Sequence, residues 1–213
     1  MQGAPPRARR NARAYNFSEG PSARKRRSAF GALTAVIVLS LALPAASTAG
    51  ERHVGASAAG CAGASSARLG PKSFARAMLC LHDRARRSRG IGALRWDSNL
   101  ARAATVHARD MVRRHYFDHT SPQHRGFMDM IAATGYGGSG CWGAGENLGL
   151  AHGPATPRQL LTAWMRSPAH RPNILRRRWH DFGLGMVRTS PLGEHTGLTV
   201  VALFGTHTVR VCR

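Results

Sequence analysis

Apolar residues recur every three or four positions in two stretches of this chain. Phe74, Ala77, Met78, Leu81 and Ala85 form one such stripe, which predicts a helix with Ser73 as its cap and Gly90 ending it. Leu100, Ala103, Ala104, His107 and Met111 form the second, behind Asp97 as the capping residue. Trp96 precedes that cap, where it can fold back as a staple, and Trp96 and Trp164 are both read as core residues at helix-packing positions. The pattern stops after His115, and Tyr116 to Pro122 reads as loop. Phe127 to Thr134 allows a short helix closed by Gly135. A glycine-dense stretch, Gly137 to Gly145, then leads into Glu146-Asn147-Leu148. Thr156-Pro157-Arg158-Gln159 has the Thr, Pro and Gln of a capped helix start, with Leu160, Leu161 and Trp164 as its buried face. Ser167-Pro168-Ala169-His170 repeats the cap-then-Pro pattern and opens a shorter helix ending near Leu175.

Beyond Asp181 the period shortens to two. Phe182 to Val187 alternates large residues with glycine, Pro191-Leu192-Gly193 is turn chemistry, and Leu198 to Phe204 is rich in Val. Two such runs predict an antiparallel hairpin. Helices first and strands last argue for an α+β fold.

The first third has a different texture. Arg24 to Arg27 is a basic block, Ala29 to Leu43 is uncharged and largely aliphatic, and small residues follow from Ala45 to Gly50. That order is the pattern of a secretory signal peptide, with cleavage expected after Ala49. The apolar run is short of the roughly 20 residues that span a bilayer. The expected organisation is therefore 1–49 as basic lead plus signal peptide, 50–72 as an Ala/Gly/Ser-rich linker, and 73–213 as one domain. Net charge is +21 over 213 residues. Of this, 23 basic and 9 acidic residues follow the expected cleavage point, leaving +14. Such a surface favours anionic partners such as cell-wall polymers or acidic lipid, although arginine-biased composition gives the same count. Export argues against a specific nucleic-acid partner. The four cysteines, Cys61, Cys80, Cys141 and Cys212, all follow Ala49. Export and an even number favour two disulfides. Spacing leaves three pairings open, of which Cys61–Cys80 with Cys141–Cys212 would staple the N-terminal tail onto the first helix and tie down the C-terminus.

Among polar groups, His119 lies in a loop, Glu146 follows the glycine run and His170 sits near a helix start. Two imidazoles and a carboxylate are the ligands of a three-residue zinc site with an open position. Their long separations are equally those of ordinary, satisfied polar residues. His107, on the apolar stripe, reads as a core histidine bonded to backbone. Gly137 to Gly145 is not a phosphate loop, because no Lys-Ser or Lys-Thr follows it. Ser139 lacks a nucleophile elbow. Ser167 and His170 have no evident acidic partner for a triad.

Six segments in register resemble one family. They are Leu94-Arg95-Trp96-Asp97, His119-Thr120-Ser121-Pro122, Gly145-Glu146-Asn147-Leu148, Trp164 to Leu175, Phe182-Gly183-Leu184-Gly185 and Phe204-Gly205. Together they resemble the CAP superfamily of cysteine-rich secretory proteins, antigen 5 and pathogenesis-related proteins, in its shorter bacterial, extracellular SCP-like form. The resemblance implies an α-β-α sandwich with a small antiparallel sheet between helices. It also implies a cleft of two His and two acidic residues that holds zinc or another divalent ion in some members. His119 and Glu146 match the first His and first acid, and Asn147 and Ser167 would line the same cleft. The second acid of animal and plant members falls at Ser167, and their second His precedes a strand that here reads Thr199-Val200-Val201-Ala202. His170 matches the bacterial pattern instead. The implied function is a secreted, monomeric binding module for a small ligand or lipid. A metal-assisted hydrolase and a basic module adhering to anionic wall polymer are the alternatives.

Overall fold

The computed structural model describes residues 60–193 and 196–208, together with the backbone of 14–16. The expected signal peptide, its cleavage site, the linker up to residue 59 and Cys212 lie outside the described residues. In chain order the elements are β1 (Ala14–Asn16), α1 (Pro71–Arg87), β2 (Arg95–Trp96), α2 (Ser98–Arg114), α3 (Phe127–Ala132), β3 (Cys141–Ala151), α4 (Pro157–Arg166), α5 (Arg171–Leu175), β4 (Asp181–Val187) and β5 (Leu198–Thr208). The sheet order is β1-β3-β5-β4-β2. The β3–β5 and β4–β5 pairs are antiparallel, and the two short edge pairings are parallel.

Strand alternation sorts the core into two halves. Phe182, Leu184, Met186, Leu198, Val200, Ala202 and Phe204 face α1, α4 and α5. Val201 and Leu203, with Trp142, Ala144 and Leu148 of β3, face α2 and α3. The result is the expected sandwich of helices on both faces of a small sheet. The alternate positions on β4 are Gly183 and Gly185, and they have a specific role. A Cβ on Gly183 would lie 2.2 Å from the Ala101 amide nitrogen, and one on Gly185 2.3 Å from that of Thr105. The α2 backbone therefore rests directly on β4.

Several local expectations shift. Gly70, not Ser73, caps α1, with Pro71 in the first turn. The preceding residues are packed rather than free: Cys61 and Ala64 are buried, and Cys61 is bonded to Cys80 with Cα atoms 5.6 Å apart. Cys141 is also disulfide-bonded. Asp97 caps α2 by accepting from the Leu100 amide at 2.8 Å, and Thr156 and Gln159 form the expected box on α4. Ser167 ends α4 rather than opening α5, which starts at Arg171. Glycine-rich β3 is a strand that its composition does not predict. Trp164 is core, but Trp96 is 46% exposed, because two-residue β2 turns it outward.

One buried charge holds loops to α1. Arg86 is 1% exposed, and its guanidinium donates to the carbonyls of Gly92, Ile174, Arg176 and Trp179 at 2.7 to 3.0 Å. Four acceptors replace the water lost on burial.

Candidate functional site

Beyond Ala144, where the pairing with β1 ends, β3 is an edge strand. Alternation sends Glu146 to the α2 face and Asn147 to the α4–α5 face. Glu146 is 2% exposed, and its two carboxylate oxygens accept from two imidazoles. His107 of α2 donates from Nδ1 to Oε2 at 2.8 Å, and His119 donates from Nδ1 to Oε1 at 2.6 Å. The second nitrogen of His107 lies 3.1 Å from the Asp118 carbonyl.

The loop bearing His119 is fixed at both ends. His115 terminates α2 in the left-handed region with φ 57°, its amide bonded to the Met111 carbonyl. The Phe127 amide donates to the His119 carbonyl at 3.2 Å, and Asp118 accepts from the Thr120 amide at 2.9 Å. The His119 side chain is 45% exposed. Hydrogen bonding to Glu146 raises its pKa above the ordinary histidine value; burial opposes this, and the Glu146 and Asp118 charges add to it.

On the other face, His170 Nδ1 lies 2.8 Å from Ser167 Oγ. Asn147 donates to the His170 carbonyl, and Asn173 donates to both the Glu146 carbonyl and Asn147 Oδ1. Burial, and secondly the charge of His119, lower the pKa of His170. The five expected residues thus form one neighbourhood at the β3 edge: Glu146 beneath, His119 on one side, and His170, Ser167 and Asn147 on the other. His107 and Asn173 join it. His107 is the core histidine expected, yet its main partner is a carboxylate. That partner lies on a strand the sequence does not predict, so no sequence signal marked the role.

The arrangement differs from the three-ligand metal set in one respect. Both Glu146 oxygens are already hydrogen-bonded acceptors, so the donors left for a cation are the second nitrogens of His119 and His170. Among the described residues no group of three or more His, Cys, Asp or Glu side chains is disposed to hold a metal ion. The donor set does not fit Glu146 as a direct ligand, because its carboxylate is fully buried under the two imidazoles and a cation has no exposed face of it to approach. Ser167 and His170 are in contact, but among the described residues no carboxylate orients His170.

A model of the cysteine-rich secretory protein family matches residues 79–204. The uncharacterized protein YkwD of Bacillus subtilis (strain 168) is 35% identical over 107 residues, 50% of this chain and 40% of that protein. An extracellular protein containing an SCP domain from Bacillus anthracis superposes with a TM-score of 0.52 at 24% identity, covering 64% of this chain and 43% of that one. An outer surface protein from Borrelia burgdorferi superposes with a TM-score of 0.50 at 20% identity, over 60% and 88% of the two chains. At those identities the two structures speak for the fold alone. The chain spans less than half the length of the two Bacillus proteins.

Proposed function

Since the chain belongs to the cysteine-rich secretory protein family, we propose that it is an exported binding module whose ligand seat is the cleft at the β3 edge. Export is supported by the charged, apolar and small-residue order of 24–50 and by the disulfide chemistry. It agrees with the extracellular and outer-surface descriptions of the two structural relatives. Among the described residues no helix is long and apolar enough to cross a membrane.

The observation that carries the reading is the clamped carboxylate. Glu146 holds His119 by one nitrogen and leaves the other without a partner among the described residues, on a half-exposed ring whose charge acts on His170, itself in contact with Ser167. A raised pKa favours the cationic form at His119, and a lowered one favours the neutral form at His170. That pairing suits a small anionic or polar ligand, with the Ser167 hydroxyl as an additional partner. It suits a hydrolase less well. A general base must be within reach of water, and the Glu146 carboxylate is fully buried beneath two imidazoles.

Calorimetric titration of the oxidised chain with zinc, and separately with acetate and phosphate, tests this. One-site binding of any of the three that disappears in His119→Ala/His170→Ala supports the seat, and saturation by zinc specifically supports a metal. Absence of binding, or binding indifferent to the double substitution, rejects it.

A further inference from the structure

Two large apolar side chains are exposed on one groove, which shares no residue with the histidine cleft. Trp96 is 46% and Val106 49% exposed, and both line a depression of about 360 Å³ between the first turn of α1 and the outer face of α2, with Leu184 in its lining. The fold leaves this groove open for a definable reason. β2 covers only Asp181 and Phe182, so the rest of β4 is a sheet edge with α1 and α2 on its two sides. The Trp96 ring is propped edge-to-face on Phe182 at 6.3 Å and so presents an ordered indole plate. Lys72, Arg102 and Arg109 also line the groove, and no carboxylate does. Arg102 is anchored on Asn99 and the Thr134 carbonyl, while Lys72 and Arg109 have no side-chain hydrogen bond or ion pair among the described residues.

We propose that this groove binds a segment of an anionic polysaccharide. A sugar ring has a flat apolar face that packs on an indole and polar edges that reach surrounding donors. Arg102 and Arg109 are seven residues apart on α2, about 10 Å along the helix axis, so charges on alternate sugar units of an extended polymer each meet a cation. A bilayer is a poorer match, because the indole lines a concavity that a flat surface cannot enter. An acidic peptide would satisfy the cations but not the aromatic plate. The groove shares no residue with the proposed cleft, so the two can fail independently.

Trp96 makes the test selective. The other tryptophans, Trp142, Trp164 and Trp179, are at most 3% exposed, so acrylamide quenching of fluorescence reads Trp96. Polygalacturonate is expected to shield Trp96 from acrylamide. By calorimetry, which needs no tryptophan reporter, Trp96→Ala, and separately Lys72→Gln/Arg109→Gln, should weaken polygalacturonate binding by about tenfold or more, as removal of a central anchor does. Arg84→Gln/Arg87→Gln, an equal charge change at the far end of α1, should alter it less than about twofold, since solvent screens distant charges. His119→Ala/His170→Ala should leave it unchanged. Equal losses in the two charge-neutralised pairs would reduce the effect to diffuse attraction and overturn the proposal. So would absence of shielding, or tighter binding to phosphatidylglycerol vesicles or polyglutamate than to polygalacturonate.

Discussion

Glu146 and His82 are both buried next to titratable chemistry, with opposite consequences. Glu146 is held by two imidazole donors, and removing its charge strands both. Glu146→Gln can accept one N–H through its oxygen but turns its own NH₂ toward the other, so a loss of about 3 kcal/mol in urea unfolding is expected. The same substitution should lower the His119 pKa, because Glu146 is the main cause of its rise; histidine NMR titration reads that directly. His82 is fully buried among Trp164, Phe182 and Phe204, donates from Nδ1 to the Met78 carbonyl, and has no partner for Nε2 among the described residues. Burial lowers its pKa to about 4. The unfolded chain takes up a proton below about pH 6.5 and the folded one only near 4, so stability falls as pH drops through that window, by up to about 3 kcal/mol. Comparing urea midpoints at pH 7 and 4.5, His82→Phe should lose distinctly less on acidification than the parent chain. An equal loss would place the acid sensitivity elsewhere. Neither role is legible in the sequence. His82 lies on an α1 face whose apolar stripe can be read without it, and the link from His107 to Glu146 joins residues 39 apart through a strand that its glycines disguise.

At the scale of elements, legibility depends on whether a residue's local preference and its tertiary role agree. Asp97, Thr156 and Gln159 cap their helices by the bonds that their types favour, and the α2 stripe of Leu100, Ala103, Ala104, His107 and Met111 is buried as its period requires. β3 breaks the agreement. Gly143, Gly145 and Gly149 are poor strand formers in isolation, and the second and third are required by close neighbours: a Cβ on Gly145 would meet Asn173 Oδ1 at 2.9 Å, and one on Gly149 the Leu160 side chain at 2.7 Å. Of the glycines that hide the strand, Gly145 leaves room for Asn173, which bonds the Glu146 carbonyl. Trp96 fails for the reverse reason: its position before a cap is a staple position, but the chain enters a sheet pairing there and turns the ring outward. On β4 the alternating glycines do mark a strand, and the structure adds the cause. Gly185→Ala would drive a methyl into the α2 backbone rather than into a movable side chain. A loss of about 3 kcal/mol or more is expected, at the upper end for an overpacked core, whereas Gly153→Ala, with no atom within 4 Å of the added Cβ, should be nearly silent. Thermal unfolding of the two variants side by side checks the contrast.

For the whole molecule, the question is where the cooperative unit begins. Composition reads residues up to 72 as a linker, yet the segment after Cys61 behaves as part of the domain. Ala64 is buried, and its carbonyl accepts from the Arg158 amide at 2.9 Å, satisfying one of the donors that the start of α4 leaves unpaired. Arg188, just after β4, donates to the carbonyls of Ala67 and Leu69. The segment therefore ties α1, α4 and the end of β4 together, and the Cys61–Cys80 bond closes a 19-residue separation around it. If it is integral, Cys61→Ala/Cys80→Ala should lower stability by about 3 kcal/mol, the scale expected for a loop of that length. The urea dependence should rise slightly, because the unfolded chain without the cross-link exposes more surface. If the segment were only a tethered tail, the double variant would keep its urea midpoint and lose hydrogen-exchange protection between residues 61 and 70 alone. The two outcomes separate cleanly. The first would extend the folded unit ahead of the family match at residue 79 and place the disulfide within its core.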